Sequence, residues 1–255
     1  MEKFSFLKNE INKITENGES FLGFDGGNIN SKTWFCGVEF GSSLETMSSY
    51  YSEYVKYYNL NGFDIPYRID CPKYFINSTF DRLLTYLYIN LFKDLLSKND
   101  EKKQIDDILK NELYNKSSNS FKINLFPIAK SDISWANSIT EILKIKKEIY
   151  YQNLFEKRSI FVKKLILKFN PDTIICFSPK NYSNFFVEFF FNKKEKIEYQ
   201  WDKIILDNSE FNISIYKSKK IKIIIVPFLG RGNVNSYEKV KILANYLKKT
   251  CYNTV

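Results

Sequence analysis

The run Val162-Lys163-Lys164-Leu165-Ile166-Leu167-Lys168-Phe169-Asn170-Pro171-Asp172-Thr173-Ile174-Ile175-Cys176-Phe177-Ser178 changes period in its middle. Val162, Leu165, Ile166 and Phe169 recur at three and four residues, the spacing of one helix face. Asn170-Pro171 ends that helix, because the residue before a proline is pushed out of the α region. Thr173 to Phe177 is then a continuous apolar run with the length of a strand buried on both faces. A helix feeding a doubly buried strand is half of a βαβ unit, and the flanking sequence extends the alternation. After a turn at Pro179, Tyr182 to Phe191 reads as an aromatic helix. Ile221 to Phe228 reads as another buried strand, followed by a helix from near Ser236 with Val240, Leu243 and Leu247 inside.

Towards the N-terminus, Thr33 to Val38 reads as a buried strand after a Gly-rich turn at Asp25-Gly26-Gly27, and Phe121 to Ile128 as a second. Ser78 is placed to cap a helix whose stripe is Phe80, Leu83, Leu84, Leu87, Leu91 and Leu95. Leu44 to Tyr58 reads as a helix, and Ile139, Ile142, Leu143 and Ile149 mark another with lysines on its outer face. Phe4, Leu7, Ile11 and Ile14 make an amphipathic N-terminal helix, and Trp201 to Leu206 with Phe211 to Tyr216 a hairpin. The alternation predicts one α/β domain over residues 1–255: a three-layer α/β/α sandwich on a central, mostly parallel four-stranded sheet. The polar stretch Ser97 to Ser120 is an insertion in this reading.

The 255 residues, 44% hydrophobic and 17% aromatic, suffice for a sizeable core and do not have the composition of a disordered chain. No apolar run approaches the roughly 20 residues of a membrane span, and the N-terminus has no secretory pattern, so a cytoplasmic protein without membrane contact is expected. There is no histidine, which excludes Ser-His-Asp and Cys-His hydrolysis and histidine-containing zinc sites. Cys36, Cys71, Cys176 and Cys251 have none of the short spacings of metal or redox motifs and read as structural thiols; an iron-sulfur cluster of four distant cysteines is the alternative. Residues 1–127 carry net charge −2 and residues 128–255 net +11. Such asymmetry fits a polyanion-binding face. With only four arginines among 38 basic residues, it also fits the lysine bias of an AT-rich genome.

In a sheet of this kind ligands sit beyond the carboxyl ends of the strands, so the loops after Val38, Asn124, Phe177 and Phe228 are expected to share one crevice. The first, Gly37-Val38-Glu39-Phe40-Gly41, sets a carboxylate between glycines. Glu39 is there either a base near a substrate or the N-cap of the next helix. Asn124, with two donors and an acceptor, either reads a base edge or pairs with a neighbouring loop. Gly230-Arg231-Gly232-Asn233-Val234-Asn235-Ser236 is either an anion seat before a helix N-terminus, with Arg231 as the cation, or a plain Gly-rich turn. It matches neither a Walker loop nor a dinucleotide fingerprint.

At these places the chain resembles the uracil-DNA glycosylase superfamily. Gly37-Val38-Glu39-Phe40-Gly41 is similar to its first motif, a Gly-x-Asp/Asn-Pro-type loop, and Ile123-Asn124-Leu125 to its strand-end asparagine. Pro171 to Phe177 resembles its helix, proline, strand, turn, helix unit, and Val226 to Asn233 takes the place of its His-Pro-Ser loop. The histidine of that loop is absent here, Phe40 stands where proline is usual, and Glu39 replaces a shorter acid or amide. The resemblance implies a monomeric, metal-free and cofactor-free DNA glycosylase that excises a flipped damaged or modified base, uracil or another pyrimidine, including phage-modified ones. Glu39 would be catalytic; Asn124, Gly37, Phe40 and Gly41 would hold the base, with an aromatic between Tyr67 and Phe75 stacking on it. Gly230, Arg231, Gly232, Asn233 and Ser236 would contact phosphate. Two other readings stand beside it: a catalytically silent nucleic-acid-binding module of the same fold, and a metal-dependent nuclease using Glu195, Glu198 and Asp202 beside Lys196 and Lys203.

Overall fold

The computed structural model describes residues 4–20, 22–38, 76–94, 100–128, 137–179, 182–206, 209–230 and 232–251. Among the described residues seven strands form one mixed sheet: β1 (Phe24–Gly27), β2 (Thr33–Gly37), β3 (Ser120–Asn124), β4 (Thr173–Ser178), β5 (Glu198–Leu206), β6 (Ser209–Lys217) and β7 (Lys222–Pro227). Their order is β1-β3-β2-β4-β7-β6-β5. The α/β class is as expected, but the four-stranded sheet is not. The four expected strands, β3, β2, β4 and β7, pair in parallel at the centre. Antiparallel strands extend both sides: β1 beside β3, and β6 then β5 beside β7. The expected hairpin exists and is longer, and its β6 continues the main sheet through the register Ser214↔Ile225 to Lys217↔Lys222.

Strand alternation sends successive side chains to opposite faces. Trp34, Cys36, Phe121, Ile123, Ile174, Cys176, Ile223 and Ile225 pack on one side with α1 (Ser5–Asn17), α5 (Phe155–Phe169) and α6 (Ser183–Phe190). Phe35, Ile175, Phe177, Ile224 and Val226 pack on the other with α2 (Thr79–Phe92), α3 (Glu101–Asn111) and α7 (Tyr237–Cys251). The central strands are thus apolar on both faces because helices cover both. The stretch Ser97 to Ser120 contains α3, whose Ile105, Ile108 and Leu109 join that second core. No described helix is long and apolar enough to cross a membrane.

Local signals set the helix ends. Ser78 accepts a hydrogen bond from the Asp81 N–H at 3.3 Å, the capping bond that starts α2. Asn170 takes a left-handed conformation (φ 51) and closes α5 just before Pro171. The helix expected through Ile139 to Ile149 is interrupted instead. α4 (Asn137–Leu143) ends at Lys144, whose φ of 58 stops it, and a turn at Lys147–Ile149 and a π-helical turn at Tyr150–Leu154 lead into α5. The expected helix from Leu44 to Tyr58 lies outside the described residues.

Asp25-Gly26-Gly27 is a strand and not a turn. Gly26 and Gly27 have φ of 114 and 109, a region open to glycine, and the β1–β3 register shifts between Phe24 and Gly26. A Cβ on Gly27 would collide with the Ser120 carbonyl oxygen. Gly27→Ala is therefore expected to lower stability by about 1–3 kcal/mol, read as a shift in the urea unfolding midpoint with unchanged slope.

Candidate functional site

The paired register brings the carboxyl ends of the central strands to one edge: Gly37 opposes Asn124, Cys36 opposes Cys176, and Ser178 opposes Pro227. At that edge, on the face covered by α2, β3 places Lys122 and Asn124 where its neighbours Phe121 and Ile123 point the other way. Lys122 is 6% exposed and Asn124 1%. A buried ammonium is tolerated only with a partner, and Asp25, fully buried in the β1 bulge, supplies it: Lys122 Nζ donates to Asp25 Oδ2. The same oxygen accepts from Asn124 Nδ2 at 3.0 Å. The Lys122 ammonium also lies 5.0 Å from the Phe80 ring centroid and 5.8 Å from that of Tyr114, within the range of cation–π attraction.

Asn124 is held from every other side as well. Its N–H donates to the Gly23 carbonyl at 2.7 Å. Its carbonyl accepts from Arg158 Nε at 3.2 Å and Nη2 at 3.1 Å. Arg158, on α5 and fully buried, reaches this point from the opposite face, with its guanidinium 4.6 Å from the Phe24 ring centroid. Because a carboxylate only accepts, Asp25 fixes which way the Asn124 amide faces: Nδ2 inward, Oδ1 away. Oδ1 is buried and has no hydrogen-bond partner among the described residues. It leans over the Cα of Gly37, where any Cβ would overlap it. A buried carbonyl oxygen left without a donor is costly.

Around the Lys122 ammonium the surroundings are aromatic. Phe80 stacks on Phe228 with centroids 5.4 Å apart and meets Phe177 edge-on at 5.6 Å. Nearby, the first turns of α2 and α7 line a crevice of about 430 Å³ with Thr79, Arg82, Asn235 and Ser236. Arg82 pairs there with Asp106 at 2.6 Å. Ser236 caps α7 by accepting from the Lys239 N–H at 3.3 Å.

Of the residues read from the sequence, Gly37 and Asn124 are brought together. Glu39, Phe40, Gly41, Arg231 and the stretch Tyr67 to Phe75 lie outside the described residues. Gly230 and Gly232 take φ of 151 and 77, and the loop closes on itself: Gly230 N–H donates to the Val234 carbonyl at 2.9 Å and Asn233 N–H to the Gly230 carbonyl at 3.2 Å. Asp25, Lys122, Arg158 and Phe80 were not among the sequence candidates. The signal was present in Ser120-Phe121-Lys122-Ile123-Asn124, where a lysine interrupts a strand otherwise suited to full burial, and such a lysine demands an acid elsewhere. Glu195 and Glu198 line a lysine-rich crevice at the amino-terminal end of β7, and the described residues hold no cluster of three or more acidic or cysteine side chains arranged to bind a metal.

Cys36 and Cys176 are buried thiols, opposite each other on β2 and β4. Burial, and then the neighbouring Cys36, hold the Cys176 thiol well above its ordinary value. The sequence matches no protein-family model and no curated protein.

Two outcomes follow from this geometry. Asp25→Ala strands the Lys122 ammonium and is expected to lose about 3–5 kcal/mol of unfolding free energy, whereas Asp25→Leu combined with Lys122→Met recovers only part of that loss in urea titrations, because Asn124 Nδ2 loses its acceptor as well. Burial also raises Tyr86 and Tyr88 to about 12. The folded state therefore keeps protons that the unfolded chain gives up above the ordinary values of 9.0 for cysteine and 10.0 for tyrosine. The stability these groups contribute is complete below pH 9 and falls as pH rises past it, so the urea midpoint should be lower at pH of about 10.5 than at about 8.

Proposed function

We propose that the protein hydrolyses the N-glycosidic bond of a base flipped out of DNA, with the carboxyl edge of the sheet as the base pocket. The observation that carries this reading is the Asn124 amide, buried, fixed by Asp25 and Arg158, and presenting Oδ1 without a partner among the described residues. An acceptor so placed suits the N–H of a nucleobase edge, and the half-buried pair Phe80 and Phe228, with Phe80 next to Lys122, offers an apolar surface on the same face. Gly37, lacking a side chain, leaves room for Oδ1 itself, with which a Cβ there would collide.

Such a reaction must stabilise an oxocarbenium-like sugar and an anionic leaving base while water attacks the anomeric carbon. Glu39, two residues beyond Gly37 in the chain, positions or deprotonates that water, and its negative charge favours the cationic sugar. With the Gly230 amide engaged inside its loop, Arg231 is the group that holds a flanking phosphate or the leaving base. No step uses imidazole, in keeping with a sequence that has none. A second reading, a nucleic-acid-binding module of the same fold without chemistry, draws on that same absence of histidine.

The deciding measurement is mass-spectrometric detection of free bases after incubation with DNAs carrying uracil and a panel of modified nucleotides, in the presence of EDTA. Release of one base class with an alkali-labile abasic site supports the proposal, and Glu39→Gln is then expected to lower the rate about 10²–10⁴-fold while DNA binding stays nearly intact. Binding without release from any substrate selects the silent module, and direct backbone cleavage that requires a divalent ion selects the nuclease. Arg231→Ala is expected to weaken DNA binding and reduce the slope of log affinity against log salt by about 0.7–1.

A further inference from the structure

We propose that the outer face of the β5–β6 hairpin and the lysine-lined crevice at its base form a platform for single-stranded nucleic acid. β5 is an edge strand of the sheet. Tyr199, Trp201 and Ile205 alternate along it and so share one face, where they are 57%, 58% and 65% exposed. Tyr199 and Trp201 are the large aromatics most exposed to solvent among the described residues. Their cross-strand neighbours keep the rings accessible. Tyr216 braces Tyr199 with ring centroids 4.8 Å apart, and Ser214 opposite Trp201 is small.

The charge lies at the root of the same hairpin. A crevice of about 670 Å³ is lined by Lys194, Lys196, Lys217, Lys219 and Lys220 against only Glu195 and Glu198. Farther along, Lys203 pairs with Glu210 at 2.7 Å and adds no net charge. Glu198, which lines the crevice, and Tyr199 are consecutive in β5 and point to opposite sides of it, so a strand stacked on the rings reaches the lysines around the root of this edge strand.

This combination selects the occupant. Two rings at alternate strand positions stand about 6.6 Å apart, roughly twice the stacked rise of a nucleic-acid strand, which suits bases splayed onto separate rings. Base faces are open to such stacking only in single strands, and the lysines meet the backbone phosphates. Lysine is depleted from protein–protein interface cores, and a second copy docked face to face would set one cationic crevice against another. Ser218 to Lys220 immediately precede β7, so the crevice is at the opposite edge of the sheet from Asn124. The platform therefore stands independently of the base-excising reading.

The test is titration of the full chain with a short oligothymidylate and with a duplex of equal length, followed by anisotropy of labelled DNA and by tryptophan fluorescence, the Trp201 share of the three tryptophans being read by difference from Trp201→Phe. Wild-type protein is expected to bind the single strand at least about tenfold more tightly than the duplex, with Trp201 quenched. Tyr199→Ala with Trp201→Ala should weaken single-strand binding roughly ten- to hundredfold with an unchanged melting profile and salt slope. Lys217→Gln, Lys219→Gln and Lys220→Gln together should reduce the salt slope by about 2. Absence of oligothymidylate binding, equal affinity for duplex, indifference to the ring substitutions, or self-association in sedimentation that the ring substitutions abolish would each overturn the proposal. Base release is measured separately, so its failure leaves this result standing.

Discussion

A lysine pointing inward from a central strand has to meet a negative charge, because the low dielectric of the interior makes an unpaired ammonium prohibitively costly. Lys122 meets Asp25, and much of the carboxyl edge is arranged by that encounter. Asp25 reaches the α2-covered face by strand alternation, since its neighbour Phe24 packs on the other side, and the β1–β3 register shifts between Phe24 and Gly26, next to two glycines of positive φ. The parallel core thereby gains an antiparallel neighbour on the side of β3. The polar pair sits under aromatic cover from Phe80 and Tyr114, which limits the water that reaches it and strengthens the attraction.

Asn124 joins this cluster to the other layer. Its side chain is tied to Asp25 on one face of the sheet and its carbonyl to Arg158 on the other, so both helical layers constrain one amide. For the proposed base-excising function this double restraint is an advantage, because a hydrogen-bond acceptor already fixed in place loses little entropy on binding. The aromatic stack of Phe80 on Phe228 gives the same region an apolar wall.

Some of this was legible in the chain. The period change around Asn170-Pro171 located the end of α5 and the whole of β4 to within a residue or two, because a proline and an asparagine able to adopt the left-handed conformation act locally, whereas the start of α5 at Phe155 was not marked. Ser78 marked the start of α2 for the same reason. Asn124 and Gly37 were legible as strand-end residues. β1 was not, since Asp25-Gly26-Gly27 carries every local mark of a turn and becomes a strand only by pairing with residues about a hundred positions later. The break at Lys144 was equally hidden, as nothing in its neighbourhood forbids a continuous helix.

What the amino-acid order determined by itself was the α/β alternation, the inner faces of its helices, the four central strands and the exclusion of imidazole chemistry, all of which depend on local period, steric bias or composition. What only the tertiary structure decided was which strands join the sheet at its edges, that Asp25 answers Lys122, and that Arg158 and Asp25 converge on one asparagine from opposite layers. Those outcomes depend on contacts between residues far apart in the chain, whose energies arise only when burial brings charge and hydrogen-bonding groups together.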